Sequence, residues 1–490
     1  MTLATTPPVD RTPRASFIYQ RDILAIRELQ GTKRRLAERA GRPYTSETNR
    51  QFLVTIHWSI PLMTDTLGAA AHRLACTRIS RRARNVACAV CMALPYALPV
   101  AIAHAQTVRD SAGIRLVDNP RPRWTPAQAL RLSDAPTLTI GSSATPEYTF
   151  GRIRNVRRMT DGRLLVADGA SMQLRFFDAR GTFLKLAAGK GEAPGQLKKM
   201  ELVRVLRGDT IAVATGFADV ALFTPSGDFV RTIALPQPGR RPSSMLTDIL
   251  PTGARLVVAL PSPAPRAPGT QWVDSIDFRL LDGTNALIRD LGNLPYVTLV
   301  QKNATSHTAP WLSSIAVEAG STEHFYFGFG DQYAIRVYAP NGQLQSIVRR
   351  AWNPIPVTAA DWEDWVVQWS KLWITTSGDS ARKEMQELRE SAYAFTMPAF
   401  SQFIPDRTGR LWVREAHYQD AIGAGSLTDP PLVPSRWSVF DTKGAWLGDV
   451  TMPKDFQPYD IGEDYVLGKQ RVDGMSKVVQ FALIAGPKRH

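Results

Sequence analysis

The chain has 490 residues, of which 44% are hydrophobic and 21% charged, as in a folded globular protein rather than a disordered one. The net charge of +15 is uneven, because residues 1–105 hold 15 lysines and arginines against 6 acidic residues and the remainder holds 44 against 38. An excess of only +6 on the body argues against nucleic-acid binding. All three cysteines precede residue 92, which excludes disulfides and cysteine nucleophiles from the body.

A basic and then apolar segment near the N-terminus predicts export. Three arginines precede a run from Val86 to Ala105 that has no formal charge apart from any proton on its histidine, and this run ends in Ala-His-Ala. A basic flank, an apolar core and small residues at the end are typical of a secretory signal peptide, here cleaved after Ala105. An uncleaved membrane anchor is the alternative, since the run is long enough to span a bilayer. Both interpretations place residues 106–490 outside the cytoplasm, in the periplasm, on the cell surface or secreted.

The chain divides into five segments on this basis. The first is a basic extension that we interpret either as disordered or as lying upstream of a true translation start near Met63. The segments are residues 1–62 (extension), 63–105 (signal peptide or anchor), 106–135 (lead-in), 136–485 (folded body) and 486–490 (tail).

Two sequence elements repeat along the body. The first is a turn followed by an apolar strand, and it occurs six times: "DGRLLVAD" (161–168), "GDTIAVAT" (208–215), "TGARLVVA" (252–259), "TEHFYFGF" (322–329), "TGRLWVRE" (408–415) and "GEDYVLGK" (462–469). The second is a strand end, a turn and another strand, and it occurs five times: "FFDARGTFL" (176–184), "LFTPSGDFV" (222–230), "LLDGTNALI" (280–288), "VYAPNGQLQ" (337–345) and "VFDTKGAWL" (439–447).

The spacing of these elements predicts six small sheets. Four short antiparallel strands need about 40–50 residues, the length of one propeller blade. The sixth unit ends after a single further strand and lacks its outermost one. The segment "PTLTIG" (136–141) is the candidate donor, because pairing the two chain ends closes a ring and removes exposed edges.

Residues 354–400 interrupt the repeats with a predicted helical insertion. In "DWEDWVVQWSKLWI" (361–374), four tryptophans including Trp365 and Trp369 fall at helical spacing on one apolar stripe. A second helix is predicted over 379–395. We interpret the insertion as a helical hairpin whose tryptophans form a core; the alternative is a lid whose tryptophan face, with Trp365 and Trp369, binds a ligand.

These repeats resemble those of six-bladed β-propellers of the NHL and TolB-like superfamily. The stretches 161–197 and 397–415 look most like its exported bacterial branch, and the likeness covers about residues 136–485. The resemblance implies an all-β, six-bladed propeller of four-stranded antiparallel blades, the last closed by an N-terminal strand. It does not imply an activity, because such propellers serve as enzymes, scaffolds and binding modules.

Candidate ligand-binding residues lie where the innermost strands are expected. Arg154, Arg157 and Arg204 make that region basic, which suits an anionic ligand, although solvated positions are the favoured interpretation because exposed arginines are the rule. Asp161, Asp209, Asp331, Asp406 and Asp464 raise the question of calcium, but lone turn aspartates bond to their own backbone and no dense calcium loop is present. We predict no catalytic residues and no cofactor, with calcium as the minor alternative.

The sequence therefore favours an exported, non-catalytic module that binds a protein, peptide or glycan. We expect this module to be a monomer. The membrane is a partner only through an uncleaved N-terminal segment. The alternative is a metal-dependent hydrolase or lyase of the gluconolactonase type. A bound metal, together with convergence on the central channel of at least two residues, would favour that alternative. The residues considered are Glu201, Asp248, His307, His324, Glu415 and His417.

Overall fold

The structure is a computed structural model that describes residues 106–486 with short gaps. The predicted extension, the signal segment and the last four residues therefore lie outside the described residues. The gaps are residues 143, 217–218, 236–243, 260–265, 268–269, 303–304, 309–316, 374–377, 391–395 and 418–433.

Four N-terminal strands precede the first complete blade, and blades 1 to 3 follow in chain order. The N-terminal strands are β1 (Thr107–Ser111), β2 (Ile114–Asn119), β3 (Leu130–Leu132) and β4 (Leu138–Ile140). Blade 1 is β5 (Ile153–Arg158), β6 (Leu164–Asp168), β7 (Gln173–Phe177) and β8 (Phe183–Ala187). Blade 2 is β9 (Leu202–Val205), β10 (Ile211–Ala214), β11 (Val220–Phe223) and β12 (Phe229–Ile233). Blade 3 is β13 (Ser244–Ile249), β14 (Arg255–Ala259), β15 (Gln271–Leu281), β16 (Leu287–Lys302) and β17 (Thr305–Thr308).

Blades 4 to 6 complete the ring, with the helices between blades 4 and 5. Blade 4 is β18 (Val317–Gly320), β19 (Phe325–Gly328), β20 (Ala334–Tyr338) and β21 (Leu344–Arg350). Helices α1 (Ala359–Trp373) and α2 (Asp379–Arg389) follow. Blade 5 is β22 (Gln402–Pro405), β23 (Leu411–Arg414), β24 (Ser435–Phe440) and β25 (Trp446–Met452). Blade 6 is β26 (Phe456–Ile461), β27 (Tyr465–Val472) and β28 (Met475–Ala485), with β3 and β4 paired to β28.

The predicted six-bladed propeller is confirmed, including its closure. Ile140 of β4 lies opposite Val478 of β28 in an antiparallel pair, as the closure prediction requires. The six copies of the first repeated element are the second strands of the six blades. These strands read as continuous apolar runs because both of their faces are covered by neighbouring blades.

The core consists of apolar clusters between adjacent blades. Between blades 6 and 1, for example, Leu467 packs in one cluster with Val166, and both are fully buried. Equivalent clusters lie at the other five interfaces. Burial of apolar surface at six interfaces stabilises the ring, since each sheet alone leaves both faces open to water.

Residues 106–141, here called the N-terminal belt, run along the outer edges of three blades. Strand β2 pairs in parallel with β21 at the edge of blade 4, and β1 pairs antiparallel with β2. The Trp124 N–H then donates to the Leu447 carbonyl of β25 at 2.6 Å, at the edge of blade 5. Gly448 is required at this crossing, because a Cβ there would lie 2.4 Å from the Trp124 ring. The belt ends in β3 and β4 on blade 6.

A buried asparagine anchors the belt to blades 4 and 5. The Asn119 Nδ2 donates to the Arg349 and Gly444 carbonyls at 2.9 Å each, and its Oδ1 accepts the Trp446 N–H at 2.9 Å. Its side chain amide thus bonds three backbone groups where the belt meets blades 4 and 5. The parallel pairing of β2 was not predicted, because a strand added to an edge needs no turn or repeat to announce it.

Candidate functional site

The propeller has two different faces. Antiparallel strands alternate in direction, so the connections between first and second strands and between third and fourth strands all emerge on one side, here called the turn face. The connections between second and third strands, and those between blades, emerge on the opposite side, here called the loop face. The helical insertion, residues 351–401, connects blades 4 and 5 and therefore lies on the loop face.

First strands of adjacent blades contact one another around the axis, for example β5 with β9 and β18 with β22. They carry the three arginines singled out in the sequence, and each arginine forms an ion pair with a carboxylate of a neighbouring blade. Arg154 of blade 1 lies 3.7 Å from Glu201 near blade 2, and Arg204 of blade 2 lies 2.9 Å from Asp248 of blade 3. Because every pair joins two blades, these charges brace the ring as well as lining it.

The strongest of these networks centres on Asp460, at the turn-face end of β26. This fully buried carboxylate forms ion pairs with Arg157 of blade 1 at 3.0 Å and with Arg407 of blade 5 at 2.8 Å. It also accepts the Arg158 N–H at 2.9 Å and the Tyr465 hydroxyl at 3.1 Å. Burial by itself would raise the pKa of Asp460, but the two guanidinium groups and the N–H hold that pKa below its usual value.

Arg407 joins three blades through one side chain. Arg407 follows the first strand of blade 5. Its backbone N–H donates to the Ile461 carbonyl of blade 6 at 3.0 Å, and its guanidinium donates to the Arg158 carbonyl of blade 1. Two guanidinium groups share one carboxylate here, so the site keeps one surplus positive charge at the turn-face end of the axis. Arg157 and Arg407 are each 30% exposed, which leaves part of that charge accessible. Sequence reasoning found Arg157 and missed both Arg407 and Asp460.

A second charged cluster lies between blades 4 and 5, and sequence analysis did not assemble it. Arg350 pairs with Glu415 at 2.7 Å and lies 3.5 Å from Asp449. Its guanidinium sits 4.5 Å from the ring centres of both Tyr333 and Trp446, a cation–π sandwich. Burial raises the pKa of the Tyr333 hydroxyl above its ordinary value.

Among the residues proposed for a metal-dependent enzyme, the three acidic ones are engaged by arginines, and the side chain of His307 lies outside the described part of the structure. Glu201, Asp248 and Glu415 each pair with an arginine, and a neighbouring cation opposes the binding of a metal ion. His324 lies in the first turn of blade 4, where its N–H donates to the Ser321 hydroxyl. Among the residues described, no three histidine, cysteine or acidic side chains lie close enough to hold a metal ion.

Two of the turn aspartates, Asp406 and Asp209, accept hydrogen bonds within their own turn or from a neighbouring blade. Asp406 accepts the Thr408 and Arg410 N–H groups and the Trp412 indole N–H at 2.9 Å each. Asp209 accepts the Thr160 N–H at 2.8 Å and so joins the turns of blades 1 and 2. The bonds from the Thr408 and Arg410 N–H groups to Asp406 are the ones that turn geometry favours. Calcium binding stays an untested alternative.

The helical insertion is a hairpin with adjoining ends. The Met397 N–H donates to the Ile355 carbonyl at 2.8 Å, and Pro356 bridges to Thr396. Helix α1 begins with a capping box in which Thr358 and Asp361 exchange side chain to N–H bonds of 2.8 and 3.1 Å. Hydrogen bonding from Thr358 lowers the pKa of Asp361. Across the hairpin, the Nε and Nη2 atoms of Arg389 in α2 donate hydrogen bonds to the carboxylate of Glu363 in α1.

The tryptophan stripe of α1 faces inward where it is described. Trp362 and Trp365 are each 5% exposed and stack with ring centres 5.0 Å apart. The side chain of Trp369 lies outside the described part of the structure. Burial of Trp365 supports its role in the hairpin core, while ligand binding by Trp365 and Trp369 stays a prediction.

Replacement of Trp365 by alanine is expected to destabilise the hairpin by about 3–5 kcal/mol, because it deletes a buried ring and its stacking contact with Trp362. Hydrogen exchange measured by mass spectrometry should show faster exchange across α1 and α2. The Trp365→Phe variant should lose less, because a ring remains for Trp362 to stack on. Unchanged protection in the alanine variant would favour the ligand-binding interpretation instead.

Two cavities lie away from the axis. One of about 490 Å³ lies between the outer strands of blades 1 and 2, and another of about 110 Å³ lies between blades 4 and 5. Within the described residues, no helix is both long and apolar enough to cross a membrane.

Comparison with known proteins does not give a family. No family model matches the chain, and no curated protein matches it. A candidate exported protein from Bacteroides fragilis is 13% identical with a TM-score of 0.43, over 76% of this chain and 100% of that one. A member of the DUF4221 family from Bacteroides vulgatus is 9% identical with a TM-score of 0.47, over 74% and 100%. A gluconolactonase from Xanthomonas campestris is 11% identical with a TM-score of 0.34, over 73% and 99%. At these identities the likeness is one of fold alone.

Proposed function

We propose that the protein is an exported, non-catalytic binding module that holds a protein, peptide or glycan partner on the loop face of its propeller. Export rests on the signal-like run that ends at Ala105. The binding role rests on two observations: the charges around the axis pair with one another across blades, and an extra helical hairpin lies on the loop face.

The charged residues around the axis hold neighbouring blades of the propeller together. Arg154, Arg157 and Arg204 are each paired across a blade boundary. A rigid closed frame is the property that a recognition scaffold needs, because loops held on such a frame bind with little loss of conformational freedom.

The observation that carries the proposal is the helical hairpin set on the loop face. Its two ends meet at Pro356 and Thr396, so the ring is continuous beneath it. Its outer surface is polar and of mixed charge, with Lys383 and Glu390 exposed. An inserted module that the ring itself does not require is expected to serve recognition.

Photo-crosslinking tests this proposal in the cells that export the protein. A benzophenone amino acid placed at Glu390, on the hairpin, is expected to form adducts with a partner, and the same group at Arg180, on the turn face, is not. Both positions are exposed, so the pair controls for accessibility. Equal adducts from both positions, or none from Glu390, would contradict the proposal.

A deletion variant provides the matched competitor. Replacing residues 357–395 with Asn-Gly joins Pro356 to Thr396 through a two-residue hairpin turn. We expect this variant to keep the β-sheet circular dichroism of the propeller. Excess unlabelled full-length protein should suppress the Glu390 adducts, whereas excess deletion variant should not. Suppression by both would place the partner elsewhere on the ring.

A further inference from the structure

The outer edges of the blades are not equally covered. The N-terminal belt occupies the edges of blades 4, 5 and 6. Strand β12, the outer strand of blade 2, pairs with β11, and no other described strand pairs with it. Its three middle residues are exposed, and Val230 is 53% exposed. An uncovered edge of this kind offers a row of backbone N–H and C=O groups to an added strand.

The side of β12 that faces blade 1 borders the larger cavity. This groove of about 490 Å³ lies between the end of β8, the turn before β12 and the glycine-rich connection "GKGEAPG" (189–195). Phe223 and Phe229 line it together with small residues. A cavity with aromatic side chains in its wall is suited to apolar side chains.

The side of β12 that faces blade 3 is cationic. Arg231 is exposed and lies opposite Leu222, whose neighbours in the core include Ile249 of blade 3. Arg255 of blade 3 is only 1% exposed, and its Nη2 donates to the Asp282 carbonyl at 2.6 Å. Within the described structure, the Nε and Nη1 atoms of Arg255 have no partner. Burial, aided by the charge of Arg231, lowers the pKa of Arg255.

A buried guanidinium with two N–H groups that lack hydrogen-bond partners lowers the stability of the fold unless an anion lies nearby. Carboxylates match guanidinium groups in geometry and charge. The surroundings agree, since residues 178–199 and 228–233 hold six lysines and arginines against three acidic residues. The unoccupied edge is therefore complementary to an acidic chain.

We propose that β12 is a docking edge for an extended acidic segment of a partner protein, which adds as a further strand to blade 2. Successive side chains of a strand point to opposite faces. Carboxylates at alternate positions would face Arg231, on the side where Arg255 lies buried, and apolar side chains between them would enter the groove beside Phe229. The inference deepens the proposed binding function by naming a second surface, separate from the helical hairpin.

The test uses residues 106–490 and a fluorescein-labelled octapeptide of alternating valine and glutamate. We expect saturable binding by fluorescence anisotropy at protein concentrations up to about 1 mM. Hydrogen exchange in residues 229–233 should be slower when the peptide is bound. A peptide with glutamine in place of glutamate should bind at least tenfold more weakly.

Matched charge reversals locate the site. Arg231→Glu should weaken binding at least tenfold, while Lys443→Glu, an exposed reversal in blade 5, should change it less than twofold. Because Arg231 is exposed, its variant should fold normally, and unchanged circular dichroism would verify this. Arg255→Met should also weaken binding, but it is secondary because the site is buried.

Several results would overturn the proposal: no saturable binding, equal losses from both charge reversals, or binding without protection of residues 229–233. Equal binding of single-stranded DNA would also overturn it, because that result indicates general attraction of polyanions. The variant lacking residues 357–395 should bind the peptide like the full-length protein. Binding by that variant, together with a failure of the hairpin crosslinks, would separate this inference from the loop-face proposal.

Discussion

Replacing Asp460 with asparagine is expected to lower the free energy of unfolding by about 3 kcal/mol. The substitution keeps the size of the side chain and removes the charge that holds Arg157 and Arg407. Removal of one partner from a buried pair leaves the other charges uncompensated, which is the costly case. We take the lower end of the range because both arginines are 30% exposed and regain some water.

The loss should be large because Asp460 serves three blades at once. It lies on blade 6, Arg157 lies on blade 1, and Arg407 arrives from blade 5. For a protein of this size, 3 kcal/mol corresponds to a fall of about 4 °C in the unfolding midpoint. Differential scanning calorimetry measures this directly. The control is Asp464→Asn, an exposed aspartate of the same blade, which should change stability by less than about 0.5 kcal/mol.

The same residue predicts a pH dependence with a definite sign. The pKa of Asp460 is lower in the folded protein than in the unfolded chain. Its contribution is therefore fully present above the ordinary aspartate pKa of about 3.9 and is lost as the pH falls toward the folded value. The stability gap between wild type and Asp460→Asn should narrow below about pH 4. A gap that stayed constant or widened on acidification would contradict the assignment.

Removing the N-terminal belt is expected to have the largest effect of all. A protein that starts at Ser142 lacks β1 to β4, and with them Val117, Leu132 and Ile140, which are at least 93% buried. Loss of these three side chains alone costs about 5–9 kcal/mol at 1.5–3 kcal/mol each. That sum is comparable to the whole stability of a typical domain, so we expect no cooperative unfolding transition.

The exposed edge of β28 adds a second consequence. Without β3 and β4, blade 6 presents an unpaired strand, which is a template for aggregation. Size-exclusion chromatography should show aggregated protein for the start at Ser142. A start at Ile114 is the matched control, because it removes only β1, whose five residues are all exposed. A monodisperse, cooperatively folded protein from the Ser142 start would show that the ring closes without the belt.

The prediction of the candidate site from the sequence was partial, and the reason is distance along the chain. Arg154, Arg157 and Arg204 stand on strands that a local pattern can indicate, but their carboxylate partners lie on other blades. The Arg158 N–H and Asp460 are separated by 302 residues, and Arg407 has no motif around it that indicates three-blade contact. The same holds for Arg350, whose partners Glu415 and Asp449 come from different strands of blade 5.

What the sequence determined by itself was the number of blades, the identity of their second strands and the strand that closes the ring. Those features follow from periodic apolar runs and from turn residues, which are encoded within about ten neighbouring positions. The tertiary structure alone decided which charges brace the axis, that residues 106–135 contribute β1, β2 and β3, and which blade edges remain open. These are contacts between segments far apart in the chain, fixed by how twisted sheets pack around one axis, and no local pattern carries that information.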